Sequence, residues 1–216
     1  MKGFFSIDGK FYAVMTKIAD LLFVALLWIV GCLPVATVLT STASMYYVVV
    51  KCIRYDRGRV WPEFWEAYRN NLRQGIGLTL LFGGIGAVIG FLDYYIFVLS
   101  SNRSGAFFIL VIAALIISAV YVMNALWIAP VFSRFSNTLG NLLKLNYVIA
   151  MKNLLRSIPL VLLALVGIVL ILFFYEMVFV LPSLIFLIQS FLVEPALRKY
   201  MPPREEEIED WRYGFR

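Results

Sequence analysis

The chain is a succession of long apolar runs separated by short polar or basic connections. Measured against the roughly 20 residues that cross about 30 Å of hydrocarbon, the runs predict six spans, at 18–33, 35–53, 76–99, 106–132, 158–174 and 178–193. The first two form one apolar stretch interrupted only by Gly31-Cys32-Leu33-Pro34, which reads as a hairpin turn at Pro34. Ser100-Ser101-Asn102-Arg103-Ser104 separates the third and fourth, and a tight connection containing Glu176 joins the fifth and sixth.

Two of the connections have helical rather than strictly polar patterning. In 62–73, Pro62 suits a first helical position, Phe64, Trp65, Tyr68 and Leu72 share a stripe, and Glu63, Glu66, Arg69, Asn70 and Arg73 lie off it. In 137–157, Leu139, Leu142, Leu143, Tyr147, Ala150, Met151, Leu154 and Leu155 recur at three and four, with Asn137 as the expected N-cap. Both read as amphipathic helices lying on the membrane, either as anchors or as places where a cytosolic protein couples to the membrane part.

Charge gives these elements a direction. With both termini in the cytoplasm, 18 of the 19 Lys and Arg fall on the inner side and only Arg103 falls outside. Treating the first hairpin as a single span moves Lys2, Lys10 and Lys17 outside and weakens the split to 15 against 4. The expected protein is therefore an all-α, polytopic membrane helix bundle of the cell membrane, with one transmembrane domain over 1–200 and a charged cytoplasmic tail over 201–216. That tail gathers five of the thirteen acids between Glu205 and Asp210 and follows them with Trp211, Tyr213 and Phe215, a pattern open to both a solvated end and a docking peptide.

Composition supports the bilayer and removes much chemistry. Residues of the hydrophobic set make up 62% of the 216 and charged ones 15%, with a mean hydropathy of +0.87, an excess that no small soluble core can bury. There is no His and there are two Cys, so metal centres, His-dependent nucleophiles and disulfide frameworks are not expected, and no cofactor is. Cys32 and Cys52 sit at opposite ends of span two, too far apart to pair. The net charge of +6 flanks apolar runs instead of covering one face, which argues for headgroup contacts and against nucleic acid.

The polar residues inside or at the ends of spans are then the candidates for function. Asp93 lies in the outer part of span three, where Arg103 would be its ion-pair partner and an outward-facing polar pocket the alternative. Glu176 falls in the outer turn, and Glu194 stands four residues from Arg198, a spacing that suits a helical ion pair. Asn124 in span four and Gln189 in span six are candidates for bridging hydrogen bonds between helices, with substrate contact as the alternative. Gly83, Gly84, Gly86 and Gly90 form a small face for close helix approach, and Pro130 and Pro182 are expected to bend their spans. Trp28, Trp61, Trp65, Trp127 and Trp211 read as a belt of interfacial anchors.

Leu26-Leu27-Trp28, Gly31, Pro34, Thr37, Tyr47, Lys51, Gly58 and the run from Trp61 to Gln74 resemble the front half of the YesL-like family of bacterial membrane proteins. Pro130 to Phe135, 142–159 and Leu192 to Tyr200 are similar to its back half. The family has no established activity, so no catalytic or ligand position carries over. Its genes often lie beside carbohydrate ABC importers, and the resemblance implies such a setting here. Glu66-Ala67, with Ala150 to Pro159, is also similar to the cytoplasmic coupling loop of ABC importer permeases, where a Glu-Ala-Ala run contacts an ATPase; Tyr68 departs from that pattern.

The expected function is accordingly a non-catalytic accessory or assembly subunit of carbohydrate uptake, contacting an ABC importer permease or ATPase through Phe64, Trp65, Glu66, Tyr68 and Arg69. The lipid bilayer is its first partner and a second copy of the chain a further candidate. An autonomous small-molecule transporter is the alternative, for which Asp93, Asn124, Glu176 and Gln189 would be the polar groups of the path.

Overall fold

The computed structural model describes residues 10–100 and 106–201; Arg103 and the tail from 202 lie outside the described residues. Seven α-helices account for nearly all of the described chain: α1 (Lys10–Cys32), α2 (Val38–Val48), α3 (Val60–Ser100), α4 (Ala106–Arg134), α5 (Leu139–Lys152), α6 (Leu154–Phe173) and α7 (Leu181–Leu197). Six helical stretches are long and apolar enough to cross a bilayer, and the protein is an all-α, multi-pass membrane bundle. Its outward-facing side chains are lipid-like in character, as at Phe91, Tyr94 and Phe97 of α3 and Phe108 and Ile109 of α4, all largely exposed on the protein. In hydrocarbon every backbone polar group must be satisfied within the segment, which helices do by construction.

The expected break between the 62–73 helix and span three does not exist. Both belong to α3, whose 41 residues make roughly 61 Å at about 1.5 Å per residue. Pro62 sits in its first turn, where no amide is needed, and no further proline follows within the helix. Gly75, at the junction, is required for another reason. A Cβ there would lie 3.0 Å from the Thr40 backbone Cα and would overlap the Thr40 side chain, so α2 can approach α3 this closely only at glycine.

The two halves of α3 keep different company. Along the first, Phe23 of α1 stacks on Trp61 with ring centroids 6.1 Å apart, Tyr68 Oη donates to the Gly31 carbonyl at 3.3 Å, and the Leu39 amide of α2 donates to Thr79 Oγ1 at 3.1 Å. Along the second, Tyr121 Oη of α4 donates to the Phe82 carbonyl at 2.8 Å and Ser118 Oγ to Asp93 at 2.5 Å. The turn between α1 and α2, a 3-10 turn at Val35–Thr37, thus meets α3 about midway along its length.

The second predicted surface helix also differs. Asn153 leaves the helical conformation (φ −116°, ψ 36°) and divides the segment into α5 and α6, while its carbonyl accepts the amides of Arg156 and Ser157 to start α6. Thr138, not Asn137, precedes α5, and the Asn137 carbonyl instead accepts a bond from Gln74 Nε2. The face that α5 buries is Leu142, Asn146, Ile149 and Ala150, whereas Tyr147, Leu154 and Leu155 are exposed. Asn146 interrupts the apolar stripe in sequence, yet its Nδ2 is bonded to the Asn124 carbonyl (3.1 Å) and Oδ1 (3.3 Å) of α4. The helix therefore packs on the bundle through a polar contact that periodicity counts as a break.

Two side-chain clusters hold the bundle together. One gathers Tyr46 and Val50 with Trp127, Ile128, Val131, Leu142, Ile149, Leu160 and Val193; the other joins Leu21, Val24 and Leu27 to Met45, Val49 and Phe64. Trp127 is fully buried and donates to Ser157 Oγ at 2.9 Å, so it is a core residue and not a belt anchor. Pro130 lies inside α4, but Pro182 opens α7 instead of bending it.

Replacing Gly75 with Ala is expected to destabilise the detergent-solubilised protein by an amount on the order of 1–3 kcal/mol. Gly83→Ala and Gly84→Ala, where a Cβ meets nothing within 4 Å, are expected to leave its melting temperature unchanged in the same thermal assay.

Candidate functional site

The C-terminal half of α2 connects most of the polar chemistry. Consecutive helical residues point about 100° apart, so Tyr46 and Tyr47 reach different neighbours. A π-helical turn at Val49–Arg54 then widens the helix, a distortion often found at functional sites. Its Arg54 donates to the Ser190 carbonyl of α7 at 2.6 Å and stacks over Phe191 at 4.4 Å.

Tyr46 faces inward. Its Oη donates to Glu194 Oε1 at 2.9 Å, and the same oxygen accepts Arg134 Nη2 at 2.7 Å and Nε at 3.0 Å. Both charged side chains are wholly excluded from the surface. An ion pair at this depth holds because the opposite charges attract and because three hydrogen bonds converge on that one carboxylate oxygen, although Glu194 Oε2 is buried with no hydrogen-bond partner among the described residues. It corrects the expected Glu194–Arg198 pair: Arg198 Nη2 donates instead to Tyr55 Oη at 2.5 Å.

Tyr47 faces a more open region. Lys51 Nζ, one turn on, donates to Tyr47 Oη at 3.0 Å and to Glu63 Oε2 at 2.5 Å, with both members of this ion pair mostly but not fully buried. Glu63 also lies against Gly58, whose φ of +84° is disfavoured for a residue with a side chain. One carboxylate thus fixes the α2–α3 connection and the first turn of α3.

Beside this network, a crevice of about 150 Å³ opens between α2, α3 and α4, lined by Tyr47, Glu63, Glu66, Asn70, Asn71 and Ser133. On the other side of the Glu66–Asn70 ridge lies an open groove of about 710 Å³, lined by Trp61, Pro62, Trp65, Glu66, Arg69 and Asn70. The two indoles meet edge to face, with centroids 5.9 Å apart and planes at 68°.

The five residues expected to contact a partner are therefore divided. Trp65, Glu66 and Arg69 line the groove. Phe64 is fully buried in the second cluster and Tyr68 turns toward Gly31, so neither belongs to the groove lining. Trp61 and Asn70 take their places; the pattern read Trp61 as an interfacial anchor and Asn70 as a polar residue off the stripe, and gave neither a partner-contact role. The Lys51–Glu63 pair bridges a loop at no helical spacing, which is why local reading misses it.

The intramembrane candidates do not converge. Asp93 accepts from Ser118, Asn124 bonds to the Val120 carbonyl and to Asn146, Glu176 is exposed in a 3-10 turn at Tyr175–Phe179, and Gln189 is buried on α7. Among the described residues no three His, Cys, Asp or Glu come close enough to hold a metal ion, and both cysteines are free thiols.

Residues 21–94 match the family described as "Protein of unknown function, DUF624". That family is the YesL-like one, and the similarity holds over this stretch. The matched stretch, a minority of the chain, runs from α1 through most of α3 and contains Tyr47, Lys51, Glu63 and the whole Trp61–Asn70 groove; Arg134 and Glu194 lie beyond it. No curated protein and no solved structure matches the chain.

Changing Arg134→Met or Glu194→Leu alone is expected to strand a buried charge and destabilise the protein by about 3–5 kcal/mol. The double variant is expected to recover most of that loss, as read by thermal unfolding and by the fraction eluting as a single species in size exclusion.

Proposed function

We propose that the protein is a non-catalytic accessory or assembly subunit in the membrane that docks, through the first half of α3, onto a carbohydrate-importing ABC transporter. The observation that carries this reading is the groove at Trp61, Trp65, Glu66 and Arg69. It combines exposed aromatic surface with charged groups on a rigid helix, the composition of interface anchors. The sequence charge distribution supports a cytoplasmic position for this end, where Lys17 pairs with Asp56 at 3.0 Å and Arg57 and Arg59 cluster. A cytoplasmic groove is where an ATPase or the inner loops of a permease would be met, and the family resemblance points to the importer.

The polar groups of the interior support the same reading over autonomous transport. Asn124 is engaged with Asn146, and Glu194 with Arg134 and Tyr46. A transport path needs polar groups facing a shared cavity near the midplane, and the two cavities described lie at the charged half of α3 instead.

The test is co-purification in mild detergent from native membranes, comparing the intact protein with a Trp61→Ala/Trp65→Ala variant. Intact protein is expected to retain a permease or its ATPase, with recovery reduced about tenfold in the variant at unchanged expression. Equal recovery by both, or no importer component with either, overturns the docking reading. Phe64 is unsuitable for this comparison, since removing a fully buried ring disturbs the fold itself.

A further inference from the structure

The crevice and the groove share Glu66 and Asn70, two residues one helical turn apart. Among the described residues Glu66 has no ion pair and no hydrogen bond, unlike Glu63, which Lys51 neutralises. The other walls are neutral and supply acceptors: Asn70, whose side-chain amide has no hydrogen bond among the described residues, offers its Oδ1 as well as its N–H groups. Asn71 Nδ2 is engaged with the Ala67 carbonyl at 2.9 Å, leaving its Oδ1 to accept, and Ser133 Oγ has given its proton to the Pro130 carbonyl at 2.8 Å, leaving its lone pairs. The lining therefore presents one uncompensated carboxylate and several neutral acceptors to a space of about 150 Å³, with two indoles across the ridge.

We propose that this crevice is the receptor for an arginine side chain presented by the docking segment of the protein partner. The inference rests on the docking reading above and names the residue type by which the partner is held. A guanidinium carries five N–H donors in a planar fork, matching a carboxylate together with Asn and Ser acceptors, and its plane suits the face of an aromatic ring such as Tyr47, the one aromatic side chain in the crevice lining. Lysine offers a compact charge that cannot engage such spread acceptors with one geometry. Phosphate and carboxylate ligands are disfavoured, because the uncompensated Glu66 carboxylate repels them. Arg69 lines the groove but not the crevice, so its charge opposes a bound cation only from a distance.

The probe is Nα-acetylarginine methylamide, titrated into the full chain in detergent micelles while the side-chain amide ¹⁵N–H signals of Asn70 and Asn71, which line the crevice, are followed by NMR. The expected result is a saturable shift of both signals that acetylcitrulline methylamide, uncharged but of the same shape, does not produce. Glu66→Gln, a change at an exposed position, is expected to weaken binding about tenfold, and Arg69→Gln to strengthen it or leave it unchanged. Equal binding of the citrulline or lysine analogue, or no loss in Glu66→Gln, overturns the proposal. Because the probe needs no importer, its failure is separable from the co-purification result: arginine can bind where no importer is recovered, and an importer can dock where arginine does not bind.

Discussion

The buried contact among Arg134, Glu194 and Tyr46 is the constraint around which the bundle is arranged. It ties α4, α7 and α2 together at one buried point, within a cluster whose other side chains are apolar and have little directional preference. Inside a lipid-embedded bundle, apolar packing alone does not distinguish one rotation of a helix from another, since lipid tails are as apolar as the helix faces. A bidentate guanidinium on a carboxylate oxygen, closed by a phenol, does distinguish them. With α7 fixed in this way, Ser190 meets Arg54 and Arg198 meets Tyr55, so the far end of α2 is set by the same registration.

Much of this architecture was legible in the sequence, and the misses share a cause. Runs of apolar residues gave the right number of helical stretches long and apolar enough to cross a bilayer, because length and hydropathy are sums over many side chains, insensitive to any one of them. Pairwise contacts are different. Arg134 reads as one more topology-setting cation and Glu194 as the helical neighbour of Arg198, because nothing local joins residues 60 positions apart. Asn146 reads as a gap in an apolar stripe when it is the residue that α5 turns toward α4. At the candidate site the residue types of Trp65, Glu66 and Arg69 marked a charged aromatic helix correctly, while the orientation of Phe64 and Tyr68 depended on α1, which supplies the surface they face.

The two ion pairs also illustrate how depth changes the use of similar chemistry. Arg134–Glu194 is closed off and serves registration. Lys51–Glu63 borders a crevice and fixes the position of a helix start that carries exposed aromatic and charged groups. Lys51 itself lies in the π-helical turn, one turn after the Tyr46 that caps the buried pair, so one continuous stretch of chain serves both a dry interface and a polar surface.

The turn joining α1 to α2 reaches only halfway along α3, where the Leu39 amide finds Thr79, and its Leu33 and Val35 are apolar and exposed. The molecule consequently has a stepped outline, tall where α3 runs on beside α4 and low where the first hairpin stops. A bilayer surrounding such an outline cannot keep one thickness around its circumference. Lipid must thin or tilt beside the low flank and stand at full height beside the tall one, so the protein imposes a gradient on its own lipid annulus and is sensitive to the acyl-chain length of the membrane that holds it.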